Sequence, residues 1–587
     1  MILQALNEYY ERKSTTNELA PDGFERKEIP FILVLDAEGL LVQIDDTRRL
    51  DGKKKVARAF LVPQTVKRAS GIAANLLWDT TEYVLGVVRD GGKPERVAEQ
   101  HAAFEARLAA LPASDDAGLL AIRRFLETLD IARVKSDPLW TEIAAMNPFV
   151  SFRLTTDSAD MLICQRTDVV AAIRAADVGE AKETGFCLVR GEEDAIARLH
   201  PAIKGVWGAQ SSGANIVSSN LAAFNSFGKE QSFNASIGQR AAFAYTTALN
   251  HLLRKGSPQR MQVGDASAVF WAADVQHSPF EDDFAALFGE TEKDDPDRGT
   301  VAVHNLYRAT ETGAYREPDA DARFCVLGLA PNAARIAVRF WQVAQVKDLA
   351  LRVREHFDDL ALTKPEFEKP YLSLYRLLTS IALQNKAENV PPDLAGDTMR
   401  AILSGTPYPA MLLQAAVRRI RAEQNVNYPR AAILKASLNR LIRHHRLSAK
   451  ELPMSLDRNN TDPAYRLGRL FAALERIQGV AQPGINATIR ERYYGAASSA
   501  PASVFPILLK LKNHHLAKID KPGLVVWFEK LLGEIFDGIK GIPTRLSLVE
   551  QGLFAVGYYH QQQDFYAAKN RPDAAAAPDV TNQGEAK

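Results

Sequence analysis

Phe31-Ile-Leu-Val-Leu-Asp-Ala-Glu-Gly-Leu-Leu-Val-Gln-Ile-Asp-Asp46 consists of two apolar runs on either side of Asp36-Ala-Glu-Gly39. The glycine supplies the positive φ that so short a connection often requires, and the stretch predicts a β-hairpin. Far downstream, Leu467, Leu470, Phe471, Leu474 and Ile477 recur every three or four residues, which predicts a helix with one apolar face and with Arg466, Arg469 and Arg476 elsewhere on its surface. Together the two patterns set the fold class as α+β: a mixed α/β N-terminal region followed by a C-terminal all-α helical bundle.

Working outward from the hairpin, Arg96 to Ala132 has helical spacing, and Phe149 to Arg153 and Cys187 to Val189 are short and strand-like. From about Val338 onward amphipathic helices repeat, with Pro391, Pro392, Pro407, Pro429, Pro453, Pro501 and Pro522 as breakers. The expected division is a mixed domain over 1–340, a basic helical region over 341–453, a helical bundle over 454–570 and a disordered tail over 571–587. The tail is rich in Ala, Pro, Asp and Asn and has too few apolar residues to pack. Glu281 to Asp297, with eight acids against one lysine, reads as a solvated linker or insertion.

The chain has 587 residues, 46% apolar and 24% charged, with a net charge of +1. That is enough chain for several packed domains, and the balance excludes a histone-like polycation while leaving local charge clusters open. Met1 to Lys13 has no basic leader ahead of an apolar stretch, and no apolar run approaches the roughly 18 residues of a membrane helix. A cytoplasmic protein without a membrane partner is expected. Three cysteines, Cys164, Cys187 and Cys325, are too far apart for a zinc or disulfide framework and read as buried small hydrophobes.

Common catalytic signatures are missing. There is no P-loop, no dinucleotide fingerprint, no His-Glu-x-x-His and no Gly-x-Ser-x-Gly. Pro21-Asp22 followed by Glu25-Arg26-Lys27 has the letters of a nuclease core but leaves no room for the intervening strand. No catalytic residue, metal or cofactor is assigned, and a metal-dependent nucleic-acid-cleaving enzyme is the alternative class.

Positive charge clusters instead. Arg48 to Arg68 carries eight cations, among them Lys53, Lys54, Lys55, Lys67 and Arg68, against Asp51 alone. Met399 to Lys450 carries ten, including Arg418, Arg419, Arg440 and Arg443, against Glu423 alone. Such an imbalance on helices predicts an electropositive face suited to phosphates. Between the two, Gln210 to Gly238 is dense in Ser, Asn, Gly and Gln. Asn215, Asn220, Asn225, Gln231 and Asn234 offer donors and acceptors of the kind that read base edges, Gly213 and Gly228 permit close approach of backbone, and Lys229 suits a phosphate. Turns satisfied by their own side-chain amides are the competing reading.

The run Gly213-Ala-Asn-Ile-Val-Ser-Ser-Asn-Leu-Ala-Ala-Phe-Asn-Ser-Phe-Gly-Lys-Glu-Gln231, which includes Ser218, resembles the hallmark of the large subunit of the type I-C CRISPR Cascade surveillance complex. Asn75 to Asp79 with Tyr83 to Gly86, Leu329 to Trp341, Tyr465 to Gln478, Ile485 to Tyr494 and Glu550 to Gln561 resemble further blocks of that family in the same order, out to about Tyr566. The chain departs from the family pattern at Ser219, where an aromatic is usual, and near Ser236, where a proline is usual.

The resemblance implies a non-catalytic subunit that reads a short protospacer-adjacent motif in duplex DNA and starts strand separation, while guide pairing reads the rest. It also implies partners: guide CRISPR RNA, target double-stranded DNA, Cascade backbone and small subunits, and a recruited helicase-nuclease. Asn75, Gly213, Asn215, Ser218, Asn220, Lys229, Gln231 and Asn234 would then approach the motif, with Lys53 to Lys55, Lys67 and Arg68 on phosphates. Arg418, Arg419, Arg440, Arg443, Arg466 and Arg469 would hold the displaced strand. In this family the C-terminal segment is also made separately as a small subunit, and Met454 is placed to start it.

Overall fold

The computed structural model describes residues 1–16, 18–52, 54–66, 71–89, 91–177, 183–274, 278–289, 297–312 and 321–567. Lys53, Lys67, Arg68, part of the acidic run and the 571–587 tail lie outside them. The chain divides into two units, one essentially 3–201 with 217–249, the other 202–216 with 250–587.

In the first unit the opening hairpin forms. β1 (Phe31–Leu35) pairs antiparallel with β2 (Leu41–Asp46), and the Leu40 N–H donates to the Asp36 carboxylate at 2.8 Å across the connection. Gly39 has φ +86°, and a Cβ there would stand 2.7 Å from Arg124 Cβ, so the turn both needs the left-handed conformation and lacks room for a side chain. β3 (Trp78–Thr80) and β4 (Phe149–Leu154) complete a sheet of order β2-β1-β4-β3, in which β1 and β4 run parallel. All five β1 side chains are buried, as expected of a strand covered on both faces. The segment Ala117–Glu127 supplies one cover; its helix starts where Asp116 accepts from the N–H groups of Gly118 and Leu119. Cys187 to Val189 is not a strand: the pairing falls on Thr184–Phe186 and Glu193–Ala195 to either side, and Gly191, at φ +75°, turns the chain between them.

In the second unit β5 (Arg260–Val263), β6 (Ala266–Ala272), β7 (Arg323–Asn332) and β8 (Arg335–Gln345) form an antiparallel meander. Its buried side chains share one continuous core with the helices that follow. Those used below are α1 (Val346–Leu360), α2 (Ala410–Glu423), α3 (Tyr428–Arg443), α4 (Pro463–Ala481) and α5 (Leu548–Ala567). α4 is the expected amphipathic helix: Asp462 caps it, Pro463 occupies its first turn, and Leu467, Leu470, Phe471, Leu474 and Ile477 are all buried. The α+β class therefore stands. Tyr494, Tyr558 and Tyr559 are core, and Cys164, Cys187 and Cys325 are buried. No described helix is long and apolar enough to cross a membrane.

Two buried histidines make stability depend on pH. His560 Nδ1 meets the Tyr465 hydroxyl at 2.9 Å, and burial, with the Lys435 charge as a lesser cause, pushes its pKa down to about 3; burial likewise drives His356 well below its ordinary range. The unfolded chain therefore takes up protons below about pH 6.5 that the folded chain refuses. Stability should be complete above that value and fall as pH drops toward 3, by up to about 1.4 kcal/mol per pH unit for each histidine. Urea melts at pH 7.5 and 5.5 check this, and His560→Gln should flatten the difference.

Candidate nucleic-acid interface

The ten residues 221–230, LAAFNSFGKE, are all exposed. A tight turn forms their tip. The Lys229 N–H donates to the Ser226 carbonyl at 3.0 Å, and both central residues have positive φ, +51° at Phe227 and +71° at Gly228, the pattern of a type I′ turn. Glycine takes this conformation freely, but for phenylalanine it costs roughly 1–3 kcal/mol and persists only where the surroundings enforce it. Asn234 is the enforcing group. Its Nδ2 donates to the Lys229 carbonyl at 3.0 Å and to the Gln231 carbonyl at 2.9 Å, while its Oδ1 accepts from the Ser226 N–H at 3.0 Å. Phe227 is left 100% exposed, next to exposed Lys229. The segment is tied back where Ser236 Oγ donates to the Phe186 carbonyl and the Gly238 N–H meets Cys187 Sγ.

This geometry redistributes the expected roles. Asn234 spends both amide hydrogens and its carbonyl inside the turn, so it shapes the loop and is not free to read bases. Gln231 Oε1 accepts from Arg198 at 3.1 Å. Lys229, Gln231 and Asn234 are brought together; Ser218 is half-buried and Asn220 exposed in the same unit. Gly213 and Asn215 belong to the other unit. Gly213, at φ +93°, approaches its own chain, since a Cβ there would stand 2.9 Å from the Ile203 carbonyl, and the Asn215 carbonyl accepts from the Ile336 N–H of β8 at 3.0 Å.

Asn75 is corrected outright. It is buried, its N–H donates to Asp79 at 2.7 Å and its Oδ1 accepts from the Val66 N–H at 3.0 Å, so its polar groups organise a turn. The basic stretch after the hairpin forms a two-stranded ribbon, Arg49–Asp51 against Lys54–Val56, with Gly52 at φ +61° and Leu50 77% exposed. Lys55 lies 3.3 Å from Glu142, whose carboxyl is held below its usual range first by Arg48. Both side chains of the Lys55 pair are well exposed, and such a pair holds its lysine only weakly against a competing phosphate.

The helical cations do not form one electropositive face. Arg440 and Arg469 are fully buried, the first on Asp359 at 2.8 Å, the second on Glu534 at 2.8 Å. Arg443 is held by Asp359 at 2.7 Å, by Glu451 at 2.9 Å and by Glu355. Arg466 donates to the carbonyls of Asn460, Glu534 and Ile535. Arg419 pairs with Glu423 at 3.2 Å within α2. Of the six, Arg418 alone is exposed with no ion pair to a described carboxylate, so holding a strand cannot fall to the set as a whole. The physical reason is that carboxylates from distant sequence positions close on these guanidinium groups.

Among the described residues no group of three His, Cys, Asp or Glu side chains lies close enough to hold a metal ion. Residues 6–566 match the family model described as CRISPR-associated protein (Cas_Csd1). The chain belongs to that family, consistent with a large subunit of a type I-C Cascade. No curated protein matches it.

Proposed function

We propose that the chain is the non-catalytic large subunit of an RNA-guided type I-C Cascade, and that the 226–229 turn meets the protospacer-adjacent motif and begins to part the duplex there. The observation that carries this reading is Phe227: fully exposed, fixed at the apex of a turn clasped by Asn234, and beside Lys229. Apolar side chains inserted between base steps unstack and kink DNA, at a cost of a few kcal/mol per step that backbone contacts offset. A preset backbone spares the ordering cost of insertion. The ribbon lysines would hold phosphates, guide RNA would pair with the opened strand, and a helicase-nuclease would be recruited afterwards.

The test uses the assembled complex on a library of flanking motifs, with permanganate reactivity of thymines reporting opening. Phe227→Ala should lower opening at the motif about tenfold or more while duplex binding at low salt persists, and Asn220→Ala or Gln231→Ala should shift motif preference. If opening and preference are both unchanged in these variants, the turn does not act on DNA.

A further inference from the structure

A second exposed aromatic lies on another loop, wholly within the second unit. Residues 202–216 close on themselves, since Ile203 and Ala214 exchange both backbone hydrogen bonds at 2.9 Å. Gly205, at φ +87°, presses against the helix end that precedes β5: a Cβ there would stand 2.6 Å from the Leu253 carbonyl. Trp207 follows, its N–H fixed on Ser267 Oγ at 2.8 Å, with Gly208 at φ +74° after it. Backbone anchored on both sides leaves the indole 59% exposed, although tryptophan is highly buried on average.

Four cations lie on the segments that anchor it. The Lys204 N–H donates to Asn250 Oδ1 at 2.7 Å, Arg254 and Lys255 directly follow Leu253, and Arg260 donates to the Leu253 carbonyl at 2.9 Å. Lys204, Arg254 and Lys255 are exposed and Arg260 is half-buried. None of the four forms an ion pair with a described carboxylate, unlike Arg419, Arg430, Arg440, Arg443 and Arg469 of the helices; Arg254 leans on the His251 ring instead. Trp207 and Arg260 also stand on the lining of a cavity of about 890 Å³, beside Met261, Val263 and Pro331.

From this we infer a binding site for single-stranded nucleic acid: an unpaired base stacks on Trp207 and enters the cavity mouth, while Lys204, Arg254, Lys255 and Arg260 hold the adjoining phosphates. An aromatic platform inside a patch of unpaired positive charge is the general chemistry of strand binding without sequence preference. A protein partner would find the indole attractive but would have to neutralise four cations, which a polyanion does unaided. The site is independent of the 226–229 turn, and the ligand's source, displaced DNA or guide RNA, is open to direct comparison.

The experiment titrates the full-length protein with oligomers of about twelve deoxyadenylates or riboadenylates, a length within the usual site size, and follows tryptophan fluorescence. Saturable quenching is expected. Trp207→Phe should remove most of the quenching yet bind within about threefold of the parent, because phenylalanine still stacks, whereas Trp207→Ala should bind roughly tenfold more weakly. Lys204→Glu with Lys255→Glu should reduce the slope of binding against salt. The stronger of the two oligomers identifies the source. Quenching that survives in Trp207→Phe, or Trp207→Ala binding as tightly as the parent, overturns the site; the duplex-opening assay is separate, so failure here leaves the turn untouched.

Discussion

Asp359→Ala should destabilise the helical part by about 3–5 kcal/mol, the usual cost of removing one partner from a buried ion pair. Asp359 is 2% exposed and serves three cations: Arg440 at 2.8 Å, Arg443 at 2.7 Å, and Lys435, which donates to its backbone carbonyl at 2.9 Å. Arg440 is also held by the Thr406 carbonyl at 2.9 Å and lies over the Tyr408 ring, 4.4 Å from its centre. Losing the carboxylate leaves that guanidinium buried with no counter-charge, and desolvation already depresses the Lys435 pKa. Urea denaturation measures the loss. In a double-mutant cycle, Arg440→Ala on the Asp359→Ala background should cost much less than on the parent, because the orphaned charge leaves with it. Additive costs would mean that the pair is not coupled.

Gly468→Ala and Gly557→Ala should be comparably severe. α4 and α5 cross in closest approach at these two positions: a Cβ on Gly468 would stand 2.0 Å from the Phe554 carbonyl oxygen, and one on Gly557 would stand 2.2 Å from the Tyr465 carbonyl oxygen. The clashing atoms are backbone, so no side-chain rotation relieves them and the helices must separate. Overpacking of a core typically costs about 1–3 kcal/mol and more where backbone has to move. The separation would also strain the Tyr465–His560 hydrogen bond across the same crossing. Gly479→Ala, in α4 with nothing within 4 Å of its Cβ, is the matched control and should be neutral or slightly stabilising through helix propensity. Thermal melts of the three variants decide the matter.

What was legible in the sequence was local. The Asp36–Gly39 connection and the spacing of Leu467 to Ile477 carry their own geometry in adjacent residues, and both elements formed. Charge was misread because neutralisation is not local: Asp359 lies 81 positions from Arg440, and Glu534 lies 65 from Arg469. A ratio of ten cations to one acid over a window therefore says little about a surface once the chain is folded. Asn234 misled for a related reason, since an amide suited to base edges is equally suited to three backbone partners of its own turn. Phe227 and Trp207 differ from the amides in having no hydrogen-bonding pattern that points to a ligand. Their signal was present, an aromatic beside glycine in an otherwise polar stretch with no apolar period to bury it.

The three buried thiols have a practical consequence. Cys164 has its ionisation pushed up to about 12 by burial, and Cys187 and Cys325 are likewise shielded from solvent. A maleimide dye, which needs an accessible thiolate, would find no reactive site on the native chain. A cysteine introduced at Gln210 or at Ser211, both exposed, would then be the sole handle, and a fluorophore there could follow strand capture in real time without first stripping the natural cysteines.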